Sequence, residues 1–177
     1  MITIRLVTAG DAADLAALIR ANRSYLEPWD PIRDPSYYTE AGQRRIIIDQ
    51  LSQDNSLPHV IVEDGRTVGR VNLSNVVRGP FLSASLGYWV AQETAGRGVA
   101  TAAVAAILRA AFTEHGLHRI EAGTLLHNLR SQRVLERNGF ERFGMAPRYL
   151  KIEGRWQDHY LYQQLAENWF AGNDEVS

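Results

Sequence analysis

The residues best placed to do chemistry in this chain lie in a short glycine turn. It reads Glu93-Thr94-Ala95-Gly96-Arg97-Gly98 and is followed by Val99-Ala100-Thr101. Gly96 and Gly98 permit positive φ and close approach of another atom to the backbone. Val104, Ile107, Leu108 and Ala111 recur at i, i+3, i+4, i+7 and predict a helix that opens just after Gly98. The first turn of such a helix presents N–H groups with no intrahelical acceptor, and a phosphate is their usual occupant. A P-loop is excluded, because it carries Lys and then Ser or Thr after its last glycine, where this chain has Val99 and Ala100. A dinucleotide fingerprint is excluded too, because its sixth position, counted from Gly96, is Thr101 rather than Gly or Ala. For the glycines taken alone, a strand-to-helix turn that binds nothing is the alternative.

Two absences narrow the chemistry further. There is no cysteine, so no disulfide, no thiolate metal site and no acyl-cysteine intermediate is expected. Nothing in the sequence calls for a metal. Lys151 is the sole lysine among nineteen basic residues, leaving one Schiff-base candidate and giving side-chain anion binding to arginine.

The elements that must position the turn can be read along the chain. Ile2, Ile4 and Leu6 alternate with polar residues as a half-buried strand, and Thr8 with Asp11 marks a helix start. The segment 22–38 carries three prolines and four aromatics, so it reads as irregular, either a binding wall or a packed loop. A helix over 40–54 follows. Strands over 59–62, 67–77 and 81–90, joined at Asp64-Gly65 and Gly79-Pro80, predict an antiparallel meander. The helix after Gly98 ends near His115-Gly116. A strand over 118–124, reached by that helical crossover, should then lie parallel to 81–90 and beside it. Asn128 caps a further helix with Leu129, Val134 and Leu135 as its apolar face, and Asn138-Gly139 closes it. Strands over 140–152 and 156–165 turn around Glu153-Gly154, and residues 170–177 read as a loose tail.

At 177 residues, with no repeat or linker, the chain reads as one domain over 1–177. The net charge of −1 argues against direct nucleic-acid binding. No run of eighteen apolar residues offers a membrane span, and the N-terminus lacks a signal-peptide pattern, so a cytoplasmic protein is expected.

The order of elements, GRGVA opening the long helix and NLRSQRVLERNGF after the next strand, resembles the GNAT acyl-CoA N-acyltransferases. The family's loop pattern is Q/R-x-x-G-x-G/A. This chain keeps both glycines and has Glu93 at the first position, a departure of small consequence if backbone amides hold the phosphate. NRSYLEPWDPIRD, NLSNVVRGPF, HNLRSQRVLERNGF and YLKIEGRWQDH further resemble the RimJ/RimL type, the ribosomal-protein-alanine N-acetyltransferases. The resemblance implies an α+β fold in α/β/α layers. Its sheet is mixed, mostly antiparallel, of six to seven strands, with a central parallel pair splayed at the acetyl-CoA site. It implies an acetyl-CoA-dependent N-acetyltransferase, with acetyl-CoA as co-substrate and a protein N-terminus, the N-terminal alanine of a ribosomal protein, as acceptor. A small-molecule amine as acceptor, or a non-catalytic ribosome-associated role, stands as the alternative. The protein is expected to be a monomer or homodimer.

Carried onto this sequence, the family's site gives specific expectations. Gly96, Arg97, Gly98, Val99 and Ala100 would bind the diphosphate through their amides, with Thr101 Oγ1 an added donor or simply back-bonded to its helix. The backbone of Trp89, Val90 and Ala91 would pair with the pantetheine arm, and Val90 N–H would face the thioester oxygen. Trp89 reads equally as a core aromatic. Asn128 and Ser131 would face the same opening, with the Ser131 hydroxyl donating to the leaving thiolate, unless both only cap the helix. Trp29, Arg33, Tyr37, Asn72, Ser74 and Asn75 would contact the acceptor. RimL-like proteins carry a glutamate near the position of Arg148, before Tyr149-Leu150, and this chain has none there, which leaves the general base open. Asp158 and His159 would serve through water, or form an ordinary hairpin ion pair or hydrogen bond.

Overall fold

Turn chemistry and strand pairing build one sheet. The computed structural model describes residues 1–174. Its strands are β1 (Ile2–Leu6), β2 (Leu57–Glu63), β3 (Arg66–Val77), β4 (Ser83–Val90), β5 (Arg119–Leu125), β6 (Glu141–Ile152) and β7 (Arg155–Leu165). They lie in the order β1-β2-β3-β4-β5-β7-β6. Asp64 and Gly65, both at positive φ, make the tight β2–β3 turn that the sequence predicts. Neighbouring strands are antiparallel except β4 and β5, which the helical crossover makes parallel.

Helices cover both faces. On one lie α1 (Ala12–Ala21), a short α2 (Arg23–Leu26) and α3 (Glu40–Ser52); Leu15 and Ile47 pack with Val7 and Val60, and Trp89 leans on this cluster. On the other lie α4 (Val99–Arg109), α5 (Leu129–Arg137) and α6 (Ala166–Asp174). There Val104, Ile107, Leu108 and Leu135 join Val71, Leu73, Ala84 and Ile120 in the larger core. The result is the α/β/α layering expected, with seven strands. A π-helical turn, Ala110–Glu114, ends α4 before Gly116.

Two expectations are corrected. Leu129 is exposed, not part of the α5 face, because it lies about 140° and 120° around the helix from Val134 and Leu135. The tail expected to be loose from 170 is helical through Asp174, because Trp169 packs on the main core and against Phe112. Residues 175–177 of that segment lie outside the described residues.

The junction of β1 and α1 rests on one carboxylate. Arg5 forks onto Asp11 (Nη2–Oδ1 2.7 Å, Nη1–Oδ2 2.9 Å), and Thr8 N–H donates to Asp11 Oδ2 at 2.8 Å. Asp11 is buried, yet the Arg5 hydrogen bonds outweigh burial and hold its carboxyl down to about 2. The folded value lies below the unfolded one, so this stabilisation is present above the ordinary carboxylate range and is lost as pH falls towards 2. Asp11→Asn is therefore expected to cost about 2 kcal/mol at pH 7. Urea melts should show the gap to wild type narrowing between about pH 4 and pH 2.

Candidate active site

The site begins where two strands part. β4 and β5 share three ladder positions, Ser83↔Arg119, Ala84↔Ile120 and Ser85↔Glu121, and no more. Each keeps its outer partner beyond that point: β4 runs with β3 to Gly69↔Val90, and β5 with β7 to Leu125↔His159. Ala91 N–H donates to Val68 O at 2.8 Å, on the β3 side. Strand alternation then turns the amides of Leu86, Tyr88 and Val90 towards β5; the Ser85↔Glu121 pairing takes up that of Leu86, and those of Tyr88 and Val90 face the gap. The gap is part of a cavity of about 580 Å³ that also takes in the glycine turn, the start of α5 and the Tyr25–Asp30 segment.

At one end of the cavity stands the glycine turn. Gly96 (φ 76°) and Gly98 (φ 81°) both adopt the left-handed conformation, and the space where a Cβ would project is open at each. The first α4 bond runs from Ala102 N–H to Gly98 O, so the amides of Val99, Ala100 and Thr101 lack an acceptor within the helix. Asn22 steadies the approach: its Oδ1 accepts from Gln92 N–H at 2.8 Å and its Nδ2 donates to Leu18 O. Arg130, Arg133 and Arg137 line the same cavity from α5 and add positive charge.

In the middle of the cavity a hydroxyl pair faces the gap. Asn128 Oδ1 accepts from Ser131 N–H at 3.2 Å and caps α5. Ser131 Oγ lies 2.6 Å from Tyr88 Oη, which also reaches Ser131 O at 3.3 Å. Burial pushes the Tyr88 phenol up to about 12, against a smaller opposing effect of the Ser131 hydrogen bond. Tyr88 is therefore a protonated donor at neutral pH.

The far wall is aromatic and polar. Trp29 stacks on His127 with ring centroids 5.4 Å apart. Asp30 is drawn towards the sheet by its backbone oxygen, which accepts from Glu153 N–H at 2.8 Å, and burial raises its carboxyl while Arg33 offsets part of the effect. His159 and Leu150 complete this wall.

Of the residues singled out in the sequence, Trp29, Trp89, Val90, Gly96, Gly98, Val99, Ala100, Thr101, Asn128 and Ser131 all line this one cavity. Others lie elsewhere. Ala91 is buried with its N–H held by Val68 O, so it cannot pair with an inserted chain. Arg97 turns away to an ion pair with Glu63 at 2.8 Å, and its N–H is directed at Thr94 O. Arg33 stacks over Tyr37 at 4.6 Å, and Tyr37 lines a separate small hollow beside Ile19 and Arg23. Ser74 and Asn75 miss the cavity because the β3 register sets Ser74 opposite Ser85, where β4 and β5 are still joined, and Asn72, opposite Gly87, does not line it either. Asn72 Oδ1 instead accepts from His59 N–H. Tyr88 was overlooked by sequence reasoning, although it shares a strand face with Val90. The α5 arginines were overlooked too, although their i, i+3, i+7 spacing places them on one stripe.

Comparison with known proteins follows the same lines. The profile described as "Acetyltransferase (GNAT) domain" matches residues 1–141. The [Ribosomal protein uS5]-alanine N-acetyltransferase of Escherichia coli is 36% identical over 176 residues, covering 97% of this chain and 91% of that protein. The solved ribosomal-protein-S5-alanine acetyltransferase of Vibrio fischeri superposes with a TM-score of 0.89 at 31% identity, covering 95% of this chain and 94% of that one. Mycobacterium smegmatis RimJ in complex with CoA-disulfide gives a TM-score of 0.89 at 34% identity, covering 98% and 89%.

Proposed function

From the premise that the chain belongs to the GNAT acetyltransferase family and is an acetyl-CoA-dependent N-acetyltransferase, we propose that its acceptor is a protein α-amino group, specifically the N-terminal alanine of a ribosomal protein. The observation that carries this reading is the cavity itself, which runs from the free amides of α4, past Ser131, to the aromatic wall at Trp29.

The residues fit the co-substrate. The open left-handed glycines and the Val99–Thr101 amides suit a diphosphate, and the α5 arginines oppose its charge. The in-gap amides of Tyr88 and Val90 suit an extended amide-bearing arm that takes the place of a missing strand pair. Val90 N–H then donates to the thioester oxygen as charge grows there. The Ser131 hydroxyl, oriented by Tyr88, donates to the departing sulfur. With no cysteine to carry an acyl group, transfer is direct, and the chain's main work is to hold amine and thioester together.

The preference for an α-amine has a physical basis. An α-amino group titrates near 7.7–8.0, so roughly a tenth of it is neutral at pH 7, whereas a lysine amine near 10.4 is neutral only to a few parts in ten thousand. Mass spectrometry of ribosomal-protein N-termini from a strain lacking the gene, and from the same strain complemented, tests the acceptor. The expected result is one alanine terminus that loses its acetyl group and regains it. Unchanged termini would reject the ribosomal acceptor and leave the reaction class standing.

A further inference from the structure

We infer that His159 is the general base of this enzyme, its Nε2 taking the proton from the acceptor amine. The inference rests on the proposed α-amine transfer and adds the proton acceptor that Arg148, near the position of the RimL-like glutamate, cannot supply.

Three observations carry it. First, the ring is held in one tautomer. His159 Nδ1 lies 2.9 Å from Gln157 O, and a carbonyl only accepts, so Nδ1 carries the hydrogen and Nε2 carries the lone pair. Nε2 has no hydrogen-bond partner among the described residues. Second, the ring lines the cavity although His159 is 3% exposed, so what reaches it must come through the cavity. Third, room has been left there. A Cβ on Gly123 would sit 3.7 Å from His159 Cδ2 and 3.7 Å from Tyr149 Cε1, and glycine leaves that volume open beside the base.

The two faces of the sheet then divide the work. Ala122 belongs to the core under α4 and α5, the side from which Ser131 approaches. Its neighbour Gly123 faces the other way by strand alternation, towards His159. The amine enters on the His159 side of the gap and sulfur departs towards Ser131. The C–N bond forms as the C–S bond breaks. The amine proton passes to Nε2 and from there to water. The thiolate leaves hydrogen-bonded to Ser131 and takes its proton from water.

Tyr149 from β6 faces the ring, at 5.6 Å between centroids, and Asp30 lines the same cavity. From β5 the neighbours are Gly123 and the uncharged Leu125. On β7 itself, Asp158 turns away and accepts from Arg148 N–H at 2.8 Å, so it is not the base.

The test uses the full chain, acetyl-CoA and a peptide beginning with alanine, with release of CoA thiol as readout. His159→Asn keeps a donor for Gln157 O and removes Nε2; His159→Gln puts an amide near the Nε2 position. Both are expected to lower kcat about 100-fold with unchanged affinity for CoA. Either variant within threefold of wild type overturns the assignment and leaves the α-amine reading intact. A wild type that does not acetylate the peptide overturns both.

Discussion

Gly98→Val is expected to raise the dissociation constant for acetyl-CoA roughly 100- to 1000-fold, about 2.7 to 4 kcal/mol. Gly98 is the N-cap of α4 at φ 81°, a conformation that a β-branched residue adopts only under strain. The chain relieves that strain by rotating the turn, and the amides of Val99 and Ala100 lose their common direction. Each charge-assisted contact they make to a phosphate is worth about 1.5–3 kcal/mol. The isopropyl group also projects into space that is open in the wild type. Isothermal titration with CoA measures the loss, and circular dichroism shows whether α4 is retained. Gly98→Ala should fall between, since strain is then present with little added bulk. Wild-type affinity in the valine variant would place the diphosphate somewhere other than this turn.

Ser131→Ala is expected to lower kcat by about 100- to 1000-fold, the scale on which a single donor to developing negative charge acts. Its amide, and so the Asn128 cap, is unaffected, and neither the α4 amides nor the α5 arginines are altered. Affinity for CoA should therefore hold while turnover falls. Tyr88 supplies the internal comparison. Its buried phenol remains protonated and donates towards Ser131, so Tyr88→Phe removes an orienting group but leaves the serine hydroxyl in place. About a tenfold loss in kcat is expected there, roughly one lost neutral hydrogen bond. A larger loss in Tyr88→Phe than in Ser131→Ala would reverse the two roles and make the phenol the donor to sulfur. Full activity in Ser131→Ala would mean that the thiolate leaves without help from this side of the gap.

Much of this protein was determined by its sequence. Period-2 and period-3.6 patterns locate the strands and helices, because a side chain's face follows from backbone geometry alone. Asp64-Gly65, Gly116, Asn128 and Asn138-Gly139 mark their own turns and caps, because the conformations they require are local. The glycine turn before α4 is legible for the same reason.

What only tertiary structure decided is which surfaces meet. Ser74 and Asn75 read as well as any polar residues on a central strand. The β3–β4 register alone puts them at the closed end of the gap. Tyr88 and Ser131 are 43 residues apart, and their contact exists only because β5 returns parallel to β4 and brings α5 over its end. His159 reads as part of a hairpin until the Gln157 carbonyl fixes its tautomer and Gly123 sets no side chain against its ring. Local backbone preference is written residue by residue. Register and proximity are properties of the packed whole, set by the burial of two apolar faces against one sheet.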